Sequence, residues 1–372
     1  MTNYPLLICL SLFGSYCLIT QGLITAANAA NSQHIQQLLN TKSCPKCDLT
    51  NAQLDGANLS KANLSGARLD DAVLKGANLS GANLSNAELT GVQLATANLT
   101  GANLKQAKLG GRKQGTQEIV ADLQEANLRE TDLSAAVLIG ANLTRANLGE
   151  AKLSYANLAS ANLEKADLTQ ANLGAANLTK ANLQGASLNI AILSGANFTG
   201  ANLKGASLLN VNAASANFSG ADLSQANLNE ANLSNAILQG AKLQKVVLLS
   251  ANLRSADLTG ANLEGALLKG AGLNRANLSG ANLKDADLTN AKLAIANLSG
   301  AQLVGAKLRR AYLHSANLSN ANFSGANLQQ AQLNSADLTN ATLVDANLSG
   351  ANLKDANLNG VIGLNTSSKP SN

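Results

Sequence analysis

Tryptophan is absent from this 372-residue chain, phenylalanine and tyrosine occur four times each, and histidine twice. So few rings leave no platform for stacking nucleic-acid bases. With only His34 and His314 available, neither a histidine metal cluster nor a Ser/His/Asp triad can be assembled. Charge is thin as well. Asp, Glu, Lys and Arg make up 13% of the residues, with a formal net charge of +5, and spread this way they give no concentrated basic stripe. After Ile24 there is no apolar run long enough to cross a bilayer. The glycines, 31 in all, lie in no strand-to-helix phosphate loop. These absences remove most enzyme classes, so no catalytic residue, metal or cofactor is expected.

What the chain has instead is a period. Leucine recurs at every fifth position from Leu49 to Leu109 and again from Leu123 to Leu358, with few replacements. A helix would smear such a series around its axis, and a flat strand would throw successive members to opposite faces. A chain that turns a corner every five residues keeps them all on one axis, which describes a solenoid. A second period sets the number of sides. Thr179, Thr199, Ser219, Gln239, Thr259, Ser279 and their successors form a hydroxyl column at intervals of twenty, followed by a column of Gly200, Gly220, Gly240, Gly260, Gly280 and Gly300. Four five-residue units therefore make one coil. Phe198 and Phe218 replace leucine twenty residues apart and should stack. At Val211-Asn212-Ala213 the larger residue has moved to the small site, so the inward pair keeps its volume.

Units such as Ala276-Asn277-Leu278-Ser279-Gly280 and Ala296-Asn297-Leu298-Ser299-Gly300 resemble the pentapeptide-repeat family at every place, over about four fifths of the chain. The resemblance implies an all-β, right-handed quadrilateral β-helix, with the leucine and the small residue two before it pointing inward. It implies no single activity. About fifteen coils at a strand spacing of about 4.8 Å would make a rod on the order of 70 Å long. Glycine at a corner eases tight turning, and outward Asn can bond its own turn.

The flanks predict caps and an export signal. Residues 1–29 carry no Lys, Arg, Asp or Glu, are apolar from Leu6 to Ile24 and end in Ala27-Asn28-Ala29, the pattern of a secretory signal cleaved after Ala29. The missing basic n-region leaves an uncleaved anchor open. Residues 30–47 form an amino-terminal cap, in which Ile35, Leu38 and Leu39 fall at helical spacing and should cover the first coil. Cys44-Pro45-Lys46-Cys47 lies just before the first repeat. A redox site would want a thioredoxin-like setting and a zinc site another pair of ligands, so an oxidising compartment suggests a Cys44–Cys47 disulfide pinning the cap. The first repeat block spans 48–109 and the second 121–360, where the phase is expected to break at Val361-Ile362-Gly363-Leu364, leaving 361–372 as a carboxyl-terminal cap and polar tail. Residues 110–120 between the blocks read as an extruded loop, or else as a bulged half-coil with Ile119 filling the core.

Function then rests on surfaces. In the interruption, Arg112 and Lys113 are candidate partner contacts. Ile190, Leu209, Val247 and Leu249 lie on one side of the rod at outward positions and form a candidate apolar docking group. Lys307, Arg309 and Arg310, near Tyr312, form the densest basic cluster. The positive net charge argues against imitation of DNA. The expected role is a non-enzymatic exported scaffold, in the periplasm, the medium or a thylakoid lumen, that binds a protein. The alternative is binding of a polyanion, nucleic acid or an anionic envelope polymer, through the basic residues.

Overall fold

A computed structural model describes residues 30–114 and 117–364; the signal-like segment and the tail beyond 364 lie outside the described residues. Each five-residue unit closes one corner. The carbonyl of an inward leucine accepts the N–H three residues on, as Leu278 does from Ala281 at 3.0 Å, and the residue between them at the corner takes a positive φ, 64° at Gly280. One positive φ at the third turn position is the signature of a type II turn. Residues before the leucines pair in parallel at intervals of twenty, as in Asn177, Asn197 and Asn217. Four corners separate one partner from the next, so the chain winds as a β-helix solenoid with four faces.

Glycine is less necessary at the corners than the column suggested. Lys180, Ile190, Asn210 and Arg310 hold φ of 58°, 61°, 53° and 56° in the same place. A left-handed conformation costs a side-chain-bearing residue roughly 1–2 kcal/mol, but each of these residues also donates its N–H to the following coil. Lys180 reaches Thr199 at 2.9 Å and Ile190 reaches Leu209 at 2.8 Å.

The interior is a column of leucine and alanine with almost no exposure. Phe198 and Phe218 stack with centroids 4.8 Å apart and planes 10° from parallel. Val211 and Ala213 are both buried, in exchanged sites. Thr131 takes one alanine place, and its buried hydroxyl donates to the Leu99 carbonyl at 2.8 Å, which satisfies it. Outside, asparagine binds in two directions. Asn177 Oδ1 accepts the N–H of Thr179 at 3.1 Å, while its Nδ2 donates to Asn157 Oδ1 at 3.0 Å. The first bond fixes the turn and the second ties adjacent coils.

Helix α1, Ser32–Thr41, sits at the amino-terminal end. Asn31 caps it by accepting from the N–H groups of Gln33 and His34, and Lys42 ends it in the left-handed conformation, donating to Leu38 O. Leu38 is fully buried and Ile35 partly so. Leu39, expected to join them, faces out at 44% exposure, because a helix lying on a flat coil end buries one narrow stripe. Cys44 and Cys47 are disulfide-bonded and buried. They do not precede the solenoid. Cys44 N–H donates to Asn63 O at 2.8 Å, and Lys46 at the corner has φ 59°, so this pair occupies the leucine and alanine sites of a corner already in register.

Between the blocks the pairing interval lengthens from twenty to twenty-nine, from Gln93 to Asp122, and returns to twenty from Asp122 to Asn142. Nine residues, 112–120, thus stand outside the coil. They form an antiparallel hairpin of β1, Arg112–Gln114, and β2, Gln117–Ile119. Ile119 does not enter the core. Its Cγ2 would lie 2.7 Å from a Cβ built on Gly91, so the hairpin folds back over an earlier corner that must stay glycine. At the other end the ladder continues one step into the segment where a break was expected: Ile362 pairs with Thr342, and Val361 N–H closes the last turn on Leu358 O at 3.3 Å. The phase then breaks at Gly363, which stands in the leucine place with φ 82°.

Candidate functional site

The four faces carry different chemistry, set by which residues flank the inward leucine. Face one holds Asp48, Arg68, Glu88 and Lys108 in a single ladder. Their charges alternate, with contacts of 3.4, 3.6 and 3.3 Å. Past the hairpin the same face becomes the hydroxyl column. Those hydroxyls are committed: Thr179, Thr199, Ser219 and Thr259 each donate to the Asn or Asp two residues before them. The side-chain and backbone bonds from Thr339 hold the Asp337 carboxyl below the ordinary carboxylate value, and those from Thr50, aided by Arg68 and His34, do the same at Asp48. Such groups are fixed in the charged form and poorly suited to proton transfer.

Arg112 is part of the hairpin's foundation. Its guanidinium pairs with Asp71 over the furrow of about 490 Å³ that the hairpin makes with face one. Arg68, Asp70, Asp71, Glu88 and Lys108 line the rest, so the charges there face one another. The Lys113 side chain lies outside the described residues. The hairpin leaves the corner at the end of face one, opposite the apolar group, and the two do not form one site.

The other candidates do converge. Face three is the ladder Ser187, Ser207, Asn227, Val247, Leu267, Asp287, Lys307, and Leu209, Leu249 and Arg309 flank it. Ile190 and Arg310 occupy corners at its edge. The apolar group and the basic cluster, read separately in the sequence, thus share a face. Their exposure differs from expectation. Ile190 projects from a corner and is 54% exposed, whereas Leu209, Val247 and Leu249 lie on the face between neighbouring coils and are half-buried. Sequence reasoning missed Leu267, 42% exposed in the same ladder, and Ile192, 44% exposed around the corner from Ile190. The signal was present, since both stand at the place the repeat usually gives to Asn or Asp.

Charge on this face is unspent. The ion pairs among the described residues lie elsewhere, the last being Lys284 with Glu264, and none involves Lys307, Arg309 or Arg310. Arg310 Nε donates to the neutral Gln330 Oε1 at 2.8 Å. Among the described residues no group of three or more His, Cys, Asp or Glu could hold a metal ion, and no helix is long and apolar enough to cross a membrane.

A family profile described as Pentapeptide repeats (8 copies) matches residues 47–86, 77–111, 121–154, 156–189, 191–229, 231–270, 256–293, 296–334 and 331–362. Among solved structures, HetL, a pentapeptide repeat protein involved in heterocyst differentiation regulation from the cyanobacterium Nostoc sp. Strain PCC 7120, is 30% identical. The match covers 74% of this chain and 89% of HetL, with a TM-score of 0.22. A pentapeptide repeat protein from the Arabidopsis thaliana thylakoid lumen is 31% identical, covering 27% of this chain and 72% of its own, with a TM-score of 0.26. Rfr23, from the cyanobacterium Cyanothece 51142, is 34% identical over 28% of this chain and 63% of its own, with a TM-score of 0.17. No curated protein matches the chain.

Proposed function

Since the chain belongs to the pentapeptide-repeat family, we propose that it is a non-enzymatic, exported scaffold whose third face docks a protein partner. One observation carries this reading: Leu209, Val247, Leu249 and Leu267 replace the usual Asn, Ser and Thr on one face within four coils, with Ile190 at its edge. Ile190 strengthens it. A β-branched residue at φ 61° is strained, and an isoleucine 54% exposed recovers through its partial burial no more than about that cost. Strain held with no net packing return is the pattern of a functional position. Support for export comes from the uncharged, apolar residues 1–29 with Ala27 and Ala29 before the cut, from the disulfide, and from the lumenal source of the Arabidopsis relative.

The test is capture from the exported fraction with purified chain beginning at Ala30, comparing the native sequence with a Leu209→Lys, Leu249→Lys variant. The native rod should retain a partner that the variant loses, with the same circular dichroism from both. Equal recovery by both would remove face three from the function. Mass spectrometry of the protein from its source should find an amino terminus at Ala30, and a retained Met1 would refute cleavage.

A further inference from the structure

Face three changes character along the axis. From Ile190 to Leu267 its outward positions hold five aliphatics, Ile190, Leu209, Val247, Leu249 and Leu267, set among neutral Ser and Asn with Glu230 the one charge; from Lys269 to Arg310 they hold four exposed cations, Lys269, Lys307, Arg309 and Arg310, against Asp287 alone on the face and Asp285 at the preceding corner. None of the four cations has a carboxylate within ion-pair distance among the described residues. From Leu209 to Arg309 is five coils, about 24 Å at strand spacing. We infer that the partner presents a single protein segment, aliphatic over one half and acidic over the other, which lies along the axis with its acidic half over Arg309 and Arg310. This rests on face three being the docking face.

The chemistry selects among anionic partners. A nucleic acid would gain nothing from the aliphatic half, and Tyr312 is the one ring beside the cations. A bilayer requires a continuous set of apolar groups that protrude, yet in this half Ile190 and Leu267 project while Leu209, Val247 and Leu249 are half-buried. A protein segment uses both halves. Flat aliphatics exclude water from the contact, and exposed cations steer and orient an acidic stretch. A helix covering 24 Å needs about sixteen residues.

The probe is a library of random 20-residue peptides displayed on phage, selected on the immobilised mature rod. Enriched peptides are then synthesised and measured by fluorescence anisotropy at 50 and 300 mM salt. A 20-nucleotide single-stranded DNA and vesicles of phosphatidylserine and phosphatidylcholine are compared. The Arg309→Glu, Arg310→Glu variant and the Leu209→Lys, Leu249→Lys variant are run alongside, each checked by circular dichroism. We expect enriched peptides to pair leucine or isoleucine with a run of Asp or Glu. Their affinity should fall at least tenfold in the arginine variant and several-fold with salt, with no measurable binding to the leucine variant. Enriched peptides without acidic bias, or an unchanged affinity in the arginine variant, would overturn the acidic segment while leaving the docking face standing if the leucine variant still fails to bind. Equal binding to the leucine variant, or no enrichment, would overturn the docking face itself. Tighter binding of DNA or vesicles, lost in the arginine variant, would assign the face to those partners instead.

Discussion

Ile190 and Ile295 form a natural matched pair for separating strain from function. Both are β-branched residues at a corner, with φ of 61° and 60°, and their exposures are 54% and 55%. Ile190 borders the docking face; Ile295 stands at the far edge of the adjacent one. Replacing either with asparagine, a residue the corners already accept at Asn210 and Asn320, relieves left-handed strain of about 1–2 kcal/mol. It also forfeits the part of the side chain now covered. Just under half of each isoleucine is shielded, and full burial is worth about 1.5–3 kcal/mol, so this loss is about 0.7–1.4 kcal/mol. The two nearly cancel. Each variant should therefore lie between about 0.4 kcal/mol less stable and about 1.3 kcal/mol more stable, and the two should agree within about 0.5 kcal/mol. Because a solenoid need not unfold in one step, the better assay is hydrogen exchange at the corner amide, which in Ile190 donates to Leu209 O, backed by denaturant titration. Partner capture should fall for Ile190→Asn and not for Ile295→Asn. A loss of more than about 1 kcal/mol in Ile190→Asn would show that packing retains the residue, and the inference from strain to docking would fail.

A double-mutant cycle with Phe198→Leu and Phe218→Leu should return a coupling of about 0.5–1.5 kcal/mol for the stacked rings; additive losses would mean the pair only fills volume. Joining Gly111 directly to Ala121 removes the hairpin and restores the twenty-residue interval, so the melting temperature should change by only a few degrees, the lost Arg112–Asp71 pair being half-exposed. Deleting nine residues within the second block, 162–170, should instead destroy register, and equal tolerance of both deletions would contradict the ladder. Asp48 and Asp337 have lowered folded-state values, so the stability they add is present above the unfolded carboxylate value of about 3.9 and is lost as pH falls through the folded values. Denaturation midpoints should hold steady from neutral pH to about pH 5 and drop below about pH 4. Asp337→Asn, which keeps the Oδ1 acceptor, should lessen that drop, and an unaltered acid limb would refute the assignment.

The fold was legible because a single period governs nearly the whole chain. The inward sites, the stacking of Phe198 on Phe218 and the exchange at Val211 and Ala213 all follow from counting by five and twenty. Counting fails where a residue's surroundings decide its state. Leu209 and Ile190 look equally outward in sequence, yet one is flanked by neighbouring coils and the other projects from a corner. Cys44 and Cys47 looked like a preface because they match no leucine or alanine, although they hold those very sites. The basic and apolar groups lay some sixty residues apart in the text, and only the interval of twenty, applied to outward positions, places Leu267 and Lys307 in one ladder. The hairpin's fold-back onto Gly91 and Asp71 is a contact across unrelated positions and left no periodic trace.

Apart from the turns themselves, the backbone bonds of each coil reach the coil before and the coil after, and a helix is laid over the amino-terminal end. Winding can therefore start at the covered end and propagate from neighbour to neighbour. Once the first turn has been seated beneath α1, every later turn finds a finished template waiting, and a newly made stretch of about twenty residues suffices to complete the next layer. A long chain of this kind can wind up in the order in which it is synthesised, without ever holding more than a short length of unpaired strand.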